Sequence, residues 1–232
     1  CAYMLEELDN LGVANLITFD AHDDRVANAA PTFGFESVPT IYQILKAMNM
    51  LYPEIIKNRS NLMIVSPDEG AISRSMYYAS VLGVPLGTFY KRRDYTTIKN
   101  GRNPIVAHEF LGESVKGKDV LIVDDMVSSG ESMLDLAHQL KERQANRIFC
   151  AATFGLFTDG LDSFNKAYEE GYIDRIFCTN LIYREPDILR APWYCDVNMA
   201  KFVALLIDAI NHNASLSSLI DPSAKIRKLL GS

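Results

Sequence analysis

Val120-Leu121-Ile122-Val123-Asp124-Asp125-Met126-Val127-Ser128-Ser129-Gly130-Glu131-Ser132 is the stretch whose reading decides the fold. Asp119 to Val123 is the most strand-like segment of the chain, with four consecutive apolar residues. Two carboxylates follow at once, and Val123 to Ser132 reads as a loop. Ser132 to Gln144 then reads as a helix, because Met133, Leu136, Ala137 and Leu140 recur at helical spacing. A Gly-containing turn that opens a helix presents free backbone N–H groups and the positive end of the helix dipole to an anion. The hydroxyls of Ser128, Ser129 and Ser132 add donors. Asp124 and Asp125 beside such a cradle suit sugar hydroxyls, whose hydrogen bonds they accept, or a magnesium ion. The same residues also read as an ordinary helix cap by Ser129 or Ser132.

Outward from this stretch the chain alternates strands and helices. Asn15 to Asp20, Asn61 to Val65, Val84 to Tyr90, Ile148 to Phe157 and Asp174 to Ile182 are apolar enough for buried strands. Thr40 to Leu51, Glu69 to Leu82, Gly160 to Glu170 and Lys201 to Asn211 are amphipathic, and Gly83 stops the second of these. The stretch through Pro31 reads as irregular, Arg92 to Asn103 as a loop or hairpin, and the last residues as weakly patterned. Continuous apolar strands joined by helices predict an α/β fold with a parallel sheet covered on both faces. Ligands of such sheets sit at the carboxyl ends of the strands, where Asp68, Asp124 and His22 fall.

Composition narrows the function classes. The 232 residues are 48% hydrophobic and 22% charged, an ordinary globular balance. A net charge of -6 argues against a general nucleic-acid or membrane-surface binder, which needs a basic face. No apolar run approaches the ~20 residues that span a bilayer, and the start lacks a signal pattern, so a cytoplasmic setting is expected. Cys1, Cys150, Cys178 and Cys195 show no CxxC pairing and read as small buried hydrophobes rather than zinc ligands or disulfide partners. His108, His138 and His212 read as surface positions, and Trp193 and Tyr194 as packing residues. The chain opens on Cys1, and Met4, Leu5, Leu8 and Leu11 already continue a helical stripe, so residues are expected before it.

Four segments in order carry a resemblance. The run from Val120 to Met126 with its small-residue loop resembles the phosphoribosyl diphosphate motif of the type I phosphoribosyltransferase fold. Phosphoribosyltransferases and ribose-phosphate pyrophosphokinases both carry that motif. Val65-Ser66-Pro67-Asp68-Glu69-Gly70-Ala71 resembles the pyrophosphate loop of the pyrophosphokinases. Tyr90-Lys91-Arg92-Arg93 resembles their Lys-x-Arg element, and Phe19-Asp20-Ala21-His22 their Asp-Leu-His-Ala segment. The chain is thus similar to the ribose-phosphate pyrophosphokinase family over nearly its whole length, as a divergent branch.

The resemblance implies transfer of the diphosphoryl group of ATP to the 1-hydroxyl of ribose 5-phosphate, giving phosphoribosyl diphosphate and AMP. It implies Lys91 and Arg93 as catalytic residues that close over the transferred group. Asp68, Asp124, Asp125, Ser128, Ser129, Gly130, Glu131 and Ser132 would bind substrate, and His22 and Asp68 would serve a Mg2+ ion. Asp68 also reads as a helix N-cap after Pro67, and the two readings are compatible. Residues 1–39 would be the end of an N-terminal pyrophosphokinase-like domain, 40–212 the phosphoribosyltransferase-like domain and 213–232 a tail. The partners implied are ribose 5-phosphate, ATP and further copies of the chain, a hexamer in the family. Two features depart from the pattern: Ser128 stands at the family's usual aspartate, and Glu131 adds a carboxylate beside the cradle. The family's adenine-holding segments are absent and would precede Cys1. The alternatives are a phosphoribosyltransferase, or a non-catalytic subunit that keeps the fold.

Overall fold

Two sheets of unequal size organise the described residues. The computed structural model describes residues 1–29, 34–93 and 105–231, with the side chains of Asp24, 91–93 and 105–108 outside that description. Among the described residues the large sheet has seven strands: β3 (Leu62–Ser66), β4 (Leu86–Arg93), β5 (Ile105–Leu111), β6 (Asp119–Val127), β7 (Ile148–Gly155), β8 (Arg175–Thr179) and β9 (Tyr194–Val197). Their order is β5-β4-β3-β6-β7-β8-β9, and every pairing is parallel except β4 with β5.

The sheet is covered on both faces, as the continuous apolar strands demand. Along β6 the side chains alternate: Val120 and Ile122 join one core cluster, Leu121 and Val123 the other. Helices α5 (Glu131–Glu142) and α6 (Asp162–Glu169) pack on the first face through Met133, Leu136, Leu140 and Phe164. Helices α2 (Ile41–Leu51), α3 (Pro53–Lys57) and α4 (Ile72–Leu82) cover the second through Ile44, Met48, Ile56 and Tyr78. Gly83 ends α4 in the left-handed conformation, φ 66°. Trp193 is fully buried and its Nε1 donates to Asn165 Oδ1 at 2.8 Å, so it packs. Cys150 and Cys178 are buried and all four cysteines are free thiols.

The small sheet holds β1 (Asn15–Phe19) and β2 (Gly34–Val38), paired in parallel after helix α1 (Ala2–Asn10). A two-stranded sheet is marginal alone. Helix α7 (Ala200–Asn211) supports it: Phe202 and Leu206 cluster with Val38 and Met199, against Ile17 and Phe19. On α1 only Leu5 is buried, and Met4 and Leu11 of the expected apolar stripe are exposed.

Several expectations shift. The segment taken as a loop from Val123 is still strand to Val127, because β7 is long enough to pair with it as far as Gly155. The chain through Pro31, read as irregular, includes a 3-10 turn at Asp24–Ala29, and β2 follows. Residues 213–232 hold α8 (Ser217–Ile220) and α9 (Ser223–Leu230), and Ile226 of α9 is buried in the core against α2 and α4. The basic residues around Ile226 hid that one anchor. Most of the polar stretch Arg92–Asn103 falls at 94–104, outside the described residues. Among the described residues no helix is long and apolar enough to cross a membrane.

Candidate active site

The carboxyl ends of β1, β3 and β6 meet, and their polar residues form two adjoining cavities. The smaller, about 190 Å³, is lined by Asp68, Asp124, Ser128, Ser129, Gly130 and Ser132. Two segments far apart in sequence thus place six of the expected substrate-binding residues around one hollow. Gly130 makes the turn into α5 with φ 83°, and Thr158 N–H ties the turn down by donating to the Ser128 carbonyl at 3.1 Å. Ser129 Oγ accepts from Glu131 N–H at 3.4 Å, but Gly130, not Ser129 or Ser132, is the N-cap and no side chain caps α5, which leaves its first turn open to an acceptor. Glu131 is exposed and does not line this cavity.

Asp68 does two things at once. Its Oδ1 accepts from Gly70 N–H at 3.0 Å and Ala71 N–H at 3.2 Å, which organises the turn before α4. Ser66 Oγ holds the same turn through the Asp68 carbonyl at 2.8 Å. The residue also lines the small cavity; it is not the helix N-cap that the sequence suggested, because α4 starts at Ile72 with Ala71 at the N-cap, and Asp68 braces the turn ahead of it.

The two carboxylates of β6 part company because neighbouring strand residues face opposite ways. Asp124 faces the small cavity, whereas Asp125 is buried and its Oδ2 accepts from His22 Nδ1 at 2.8 Å. Burial, then the hydrogen bond and charge of Asp125, push the Asp124 carboxyl up to about 7. Burial opposes ionisation of Asp125 too. The hydrogen bonds from His22 and Asp124 and the charge of Arg74 outweigh it and hold that carboxyl below its usual value. The Asp125 hydrogen bond and charge raise the His22 imidazole in turn.

The larger cavity, about 800 Å³, takes in His22. It is lined by Asp20, His22, Ser37, Thr40, Ser73 and Arg74 among others. Arg74 Nε donates to Asp20 Oδ1 at 2.8 Å, and its Nη1 stands 4.0 Å from Asp124 Oδ1. Thr153 Oγ1 donates to Asp20 Oδ2 at 2.6 Å, which leaves Thr40 Oγ1 to donate to Thr153 at 2.8 Å. Asp20 adopts φ 48°, a left-handed conformation that side chains other than those of Asn, Asp and Gly rarely take. Arg74, Thr40 and Thr153 escaped the sequence reading. The available signal for Arg74 was a charge on the core-facing side of a helix, one turn from Ala71 and Tyr78.

The structure therefore brings together Asp68, Asp124, Ser128, Ser129, Gly130 and Ser132, sets Asp125 and His22 beside them, and turns Glu131 outward. Lys91 and Arg93 belong to β4, the strand after α4, and their side chains lie outside the described residues. Asp23 is engaged by the Arg25 guanidinium at 2.9 Å.

Residues 36–178 match the phosphoribosyl transferase domain. The chain belongs to that family. It is 30% identical over 225 residues to ribose-phosphate pyrophosphokinase of Ureaplasma parvum, covering 94% of this chain and 62% of the relative. The enzyme of the same name from Mycoplasma pneumoniae is 28% identical over 215 residues, covering 91% and 61%. The fold matches phosphoribosylpyrophosphate synthetase of Mycobacterium smegmatis with a TM-score of 0.74 at 22% identity, over 92% of this chain and 64% of that one. The chain thus spans about three-fifths of the length of the curated relatives it matches.

Proposed function

We propose that this chain supplies the ribose 5-phosphate half of a site that makes phosphoribosyl diphosphate and AMP from ribose 5-phosphate and ATP. The observation that carries the reading is the small cavity itself. It sets two carboxylates, Asp68 and Asp124, against a hydroxyl-rich turn at a helix N-terminus. Phosphate fits the turn and sugar hydroxyls fit the carboxylates. The likeness to ribose-phosphate pyrophosphokinases over nine-tenths of the chain supports the same chemistry.

In this reading the 5-phosphate sits on the N–H groups and hydroxyls from Ser128 to Ser132. Asp124 accepts from a ribose hydroxyl, and Asp68 stands at the side of the cavity nearest the reacting end. The sugar's 1-oxygen attacks the β-phosphorus of ATP. The bond from that phosphorus to the oxygen shared with the α-phosphorus breaks, AMP leaves with that oxygen, and the 1-hydroxyl gives up its proton. Such a transfer needs positioning and charge neutralisation more than covalent help. Lys91 and Arg93 would neutralise the moving diphosphoryl group, Lys91 as a point charge and Arg93 through two N–H groups.

The donor set fits a Mg2+ ion carried in with ATP. Among the described residues no three His, Cys, Asp or Glu side chains form a closed metal site. Magnesium suits that openness, because it keeps its waters and shares one or two protein groups with substrate phosphates. His22 and Asp68 would hold the ion or its waters, with His22 oriented by Asp125. The bound ion would neutralise phosphate charge.

We further propose that residues 1–39 are the end of a second, similar domain, that 40–212 form the phosphoribosyltransferase-like domain, and that the protein works as a cytoplasmic homo-oligomer. The exposed Met4 and Leu11 of α1 and the marginal two-stranded sheet support a larger N-terminal unit.

The test is product analysis with the full-length protein, magnesium, ATP and ribose 5-phosphate. Release of AMP in step with phosphoribosyl diphosphate is the expected result. Release of pyrophosphate from phosphoribosyl diphosphate only when a base is supplied would assign a phosphoribosyltransferase instead. Neither activity, with ribose 5-phosphate still bound, would mark a non-catalytic subunit.

A further inference from the structure

Asp125 and Thr153 stand side by side on neighbouring strands. Asp124 pairs with Ala152 and Met126 with Phe154, which puts the two residues between them in line on one face of the sheet. Both are buried. The loop after β1 lands on this pair with two side chains, two residues apart. Asp20 Oδ2 accepts from Thr153 Oγ1 at 2.6 Å, and His22 Nδ1 meets Asp125 Oδ2 at 2.8 Å. The loop is therefore seated at two points, one on β7 and one on β6.

Three features set the Thr153 point apart from ordinary packing. First, its hydroxyl has a fixed direction. The proton goes to the carboxylate of Asp20, and Thr40 Oγ1 donates to the oxygen from behind at 2.8 Å. Second, a buried threonine has a simpler way to satisfy itself. Thr179, equally buried on the neighbouring strand, donates to the backbone carbonyl of Thr153 at 2.6 Å. Thr153 instead reaches a carboxylate 133 residues away in sequence. Third, Asp20 is held from every other side as well. Arg74 Nε donates to its Oδ1 at 2.8 Å, its own N–H donates to the Val38 carbonyl at 3.0 Å, and Ala21 N–H donates to Ser37 Oγ at 2.9 Å. The φ of 48° at Asp20 is strained, and such strain persists only where the surroundings over-determine the conformation.

We propose that Thr153 is a positioning residue for the reaction: through Asp20, its hydroxyl sets where the His22 imidazole stands at the site. Asp125 aims the ring, and Thr153 places the backbone that carries it. Without the hydroxyl, Asp20 Oδ2 is a half-buried acceptor that has lost its donor, and it turns toward water. The movement reaches His22 two residues on, where a displacement of about 1 Å costs a positioned reaction up to about a hundredfold. The kinetic consequence rests on the ribose 5-phosphate and ATP reading of the site; the geometric one does not.

The test compares Thr153→Val, which keeps the shape and loses the hydroxyl, with Thr153→Ser, which keeps the hydroxyl, both in the full-length protein. Ligand-free crystal structures read the geometry. His22 Nδ1 is expected beyond hydrogen-bond reach of Asp125 in Thr153→Val and at the wild-type distance in Thr153→Ser. Turnover reads the consequence. Formation of phosphoribosyl diphosphate should fall roughly tenfold or more in Thr153→Val and return to within about threefold of wild type in Thr153→Ser. Ribose 5-phosphate affinity, by calorimetry, should stay within about twofold in both, because β3, β6 and α5 build the small cavity. Three results overturn the proposal: an unmoved His22 in Thr153→Val, a serine variant as displaced or as slow as the valine one, or a loss of sugar-phosphate affinity equal to the loss of turnover. If Thr153→Val does not fold, Thr40→Val takes its place, since it frees the Thr153 hydroxyl to turn. A loss of about threefold is then expected, and wild-type turnover overturns the proposal. A wild-type protein that makes no phosphoribosyl diphosphate sinks the proposed reaction, and the crystallographic comparison alone then decides this inference.

Discussion

His22 Nδ1 lies 2.8 Å from Asp125 Oδ2, a hydrogen bond that spans 103 residues of sequence and ties the loop after β1 to the end of β6. The imidazole side chain is 77% exposed and the carboxylate only 4%, so the bond brings a buried charge to the edge of the solvent-facing site. Asp125 fixes the tautomer and the direction of the ring, which leaves Nε2 facing outward. His22→Ala is expected to lower turnover of ribose 5-phosphate and ATP by about 10² or more, within the usual range for a positioned acid, base or ligand. The stability contribution of the pair needs both charges. It is present between the ordinary carboxylate value and the ordinary histidine value, and fades as pH rises through the raised value of His22. The Tm gap between wild type and His22→Ala should therefore narrow from pH 6 to pH 9. A constant gap would separate the histidine's charge from its role.

Lys91 stands in β4 beside the strand that leads to Asp68. A residue that neutralises only the moving diphosphoryl group acts in the transition state, not in the ground state. Lys91→Ala should cut kcat by orders of magnitude and leave the KM for ribose 5-phosphate within a few fold. Equal losses in kcat and sugar-phosphate affinity would reduce Lys91 to a binding residue.

The sequence carried the sheet because its strands are apolar on both faces, and a residue such as Ile122 leaves no other place to go. It carried the turn into α5 because Ser128-Ser129-Gly130 follows a strand directly. It did not carry β2 or β9, whose residues Glu36, Ser37 and Asp196 break the apolar run of a short strand. Nor did it carry the Asp20–Arg74–Thr153–Thr40 network. Those four residues come from four separate elements, and none of their local contexts names the others. Which of two adjacent aspartates faces the cavity also needed the pleat of β6 and the position of His22.

Gly130 is fixed by two constraints. Its φ of 83° is costly for a side chain, and a Cβ there would lie 1.9 Å from Phe164 Cζ. Phe164 is itself fully buried between Phe157 and Trp193, at 5.0 and 5.2 Å between ring centroids, and cannot retreat. Gly130→Ala should destabilise the fold by about 3 kcal/mol, combining left-handed strain with overpacking. Adding Phe164→Leu should recover part of the Tm but not the phosphate affinity, because the turn stays strained. Urea titrations of the two variants, with phosphate binding by calorimetry, separate the two effects.

Arg74 is a half-buried cation among Asp20, Asp124 and Asp125, and their charges outweigh its burial to hold it ionised. Arg74→Met would leave Asp20 half-buried, in a left-handed backbone, without its cation. Removing one partner of a fully buried pair costs about 3 to 5 kcal/mol, and this half-buried pair should cost about 2 kcal/mol. Arg74→Met/Asp20→Asn should regain much of that loss, since asparagine tolerates the same φ and carries no charge. Additive losses in that double-mutant cycle would contradict a direct coupling between the two side chains.

Asp124 gives the pH dependence a definite sign. Its carboxyl sits at about 7 in the fold, chiefly through burial and then through Asp125, against 3.8 for an ordinary aspartate. Between those two values the folded chain holds a proton that the unfolded chain has released. Stability therefore falls as pH rises from about 4 to about 7 and levels off above. Asp124→Asn removes that proton exchange. With EDTA present, the variant should match wild type near pH 5 and exceed it in Tm at pH 8. Substrate binding should run the other way, because only the ionised carboxylate accepts fully from a ribose hydroxyl. Wild-type affinity for ribose 5-phosphate should rise through pH 7, and the variant's should stay flat apart from the phosphate's own titration. A wild-type Tm that is flat from pH 5 to pH 8 would mean that Asp124 is already ionised at pH 5, with Arg74 offsetting its burial across 4.0 Å.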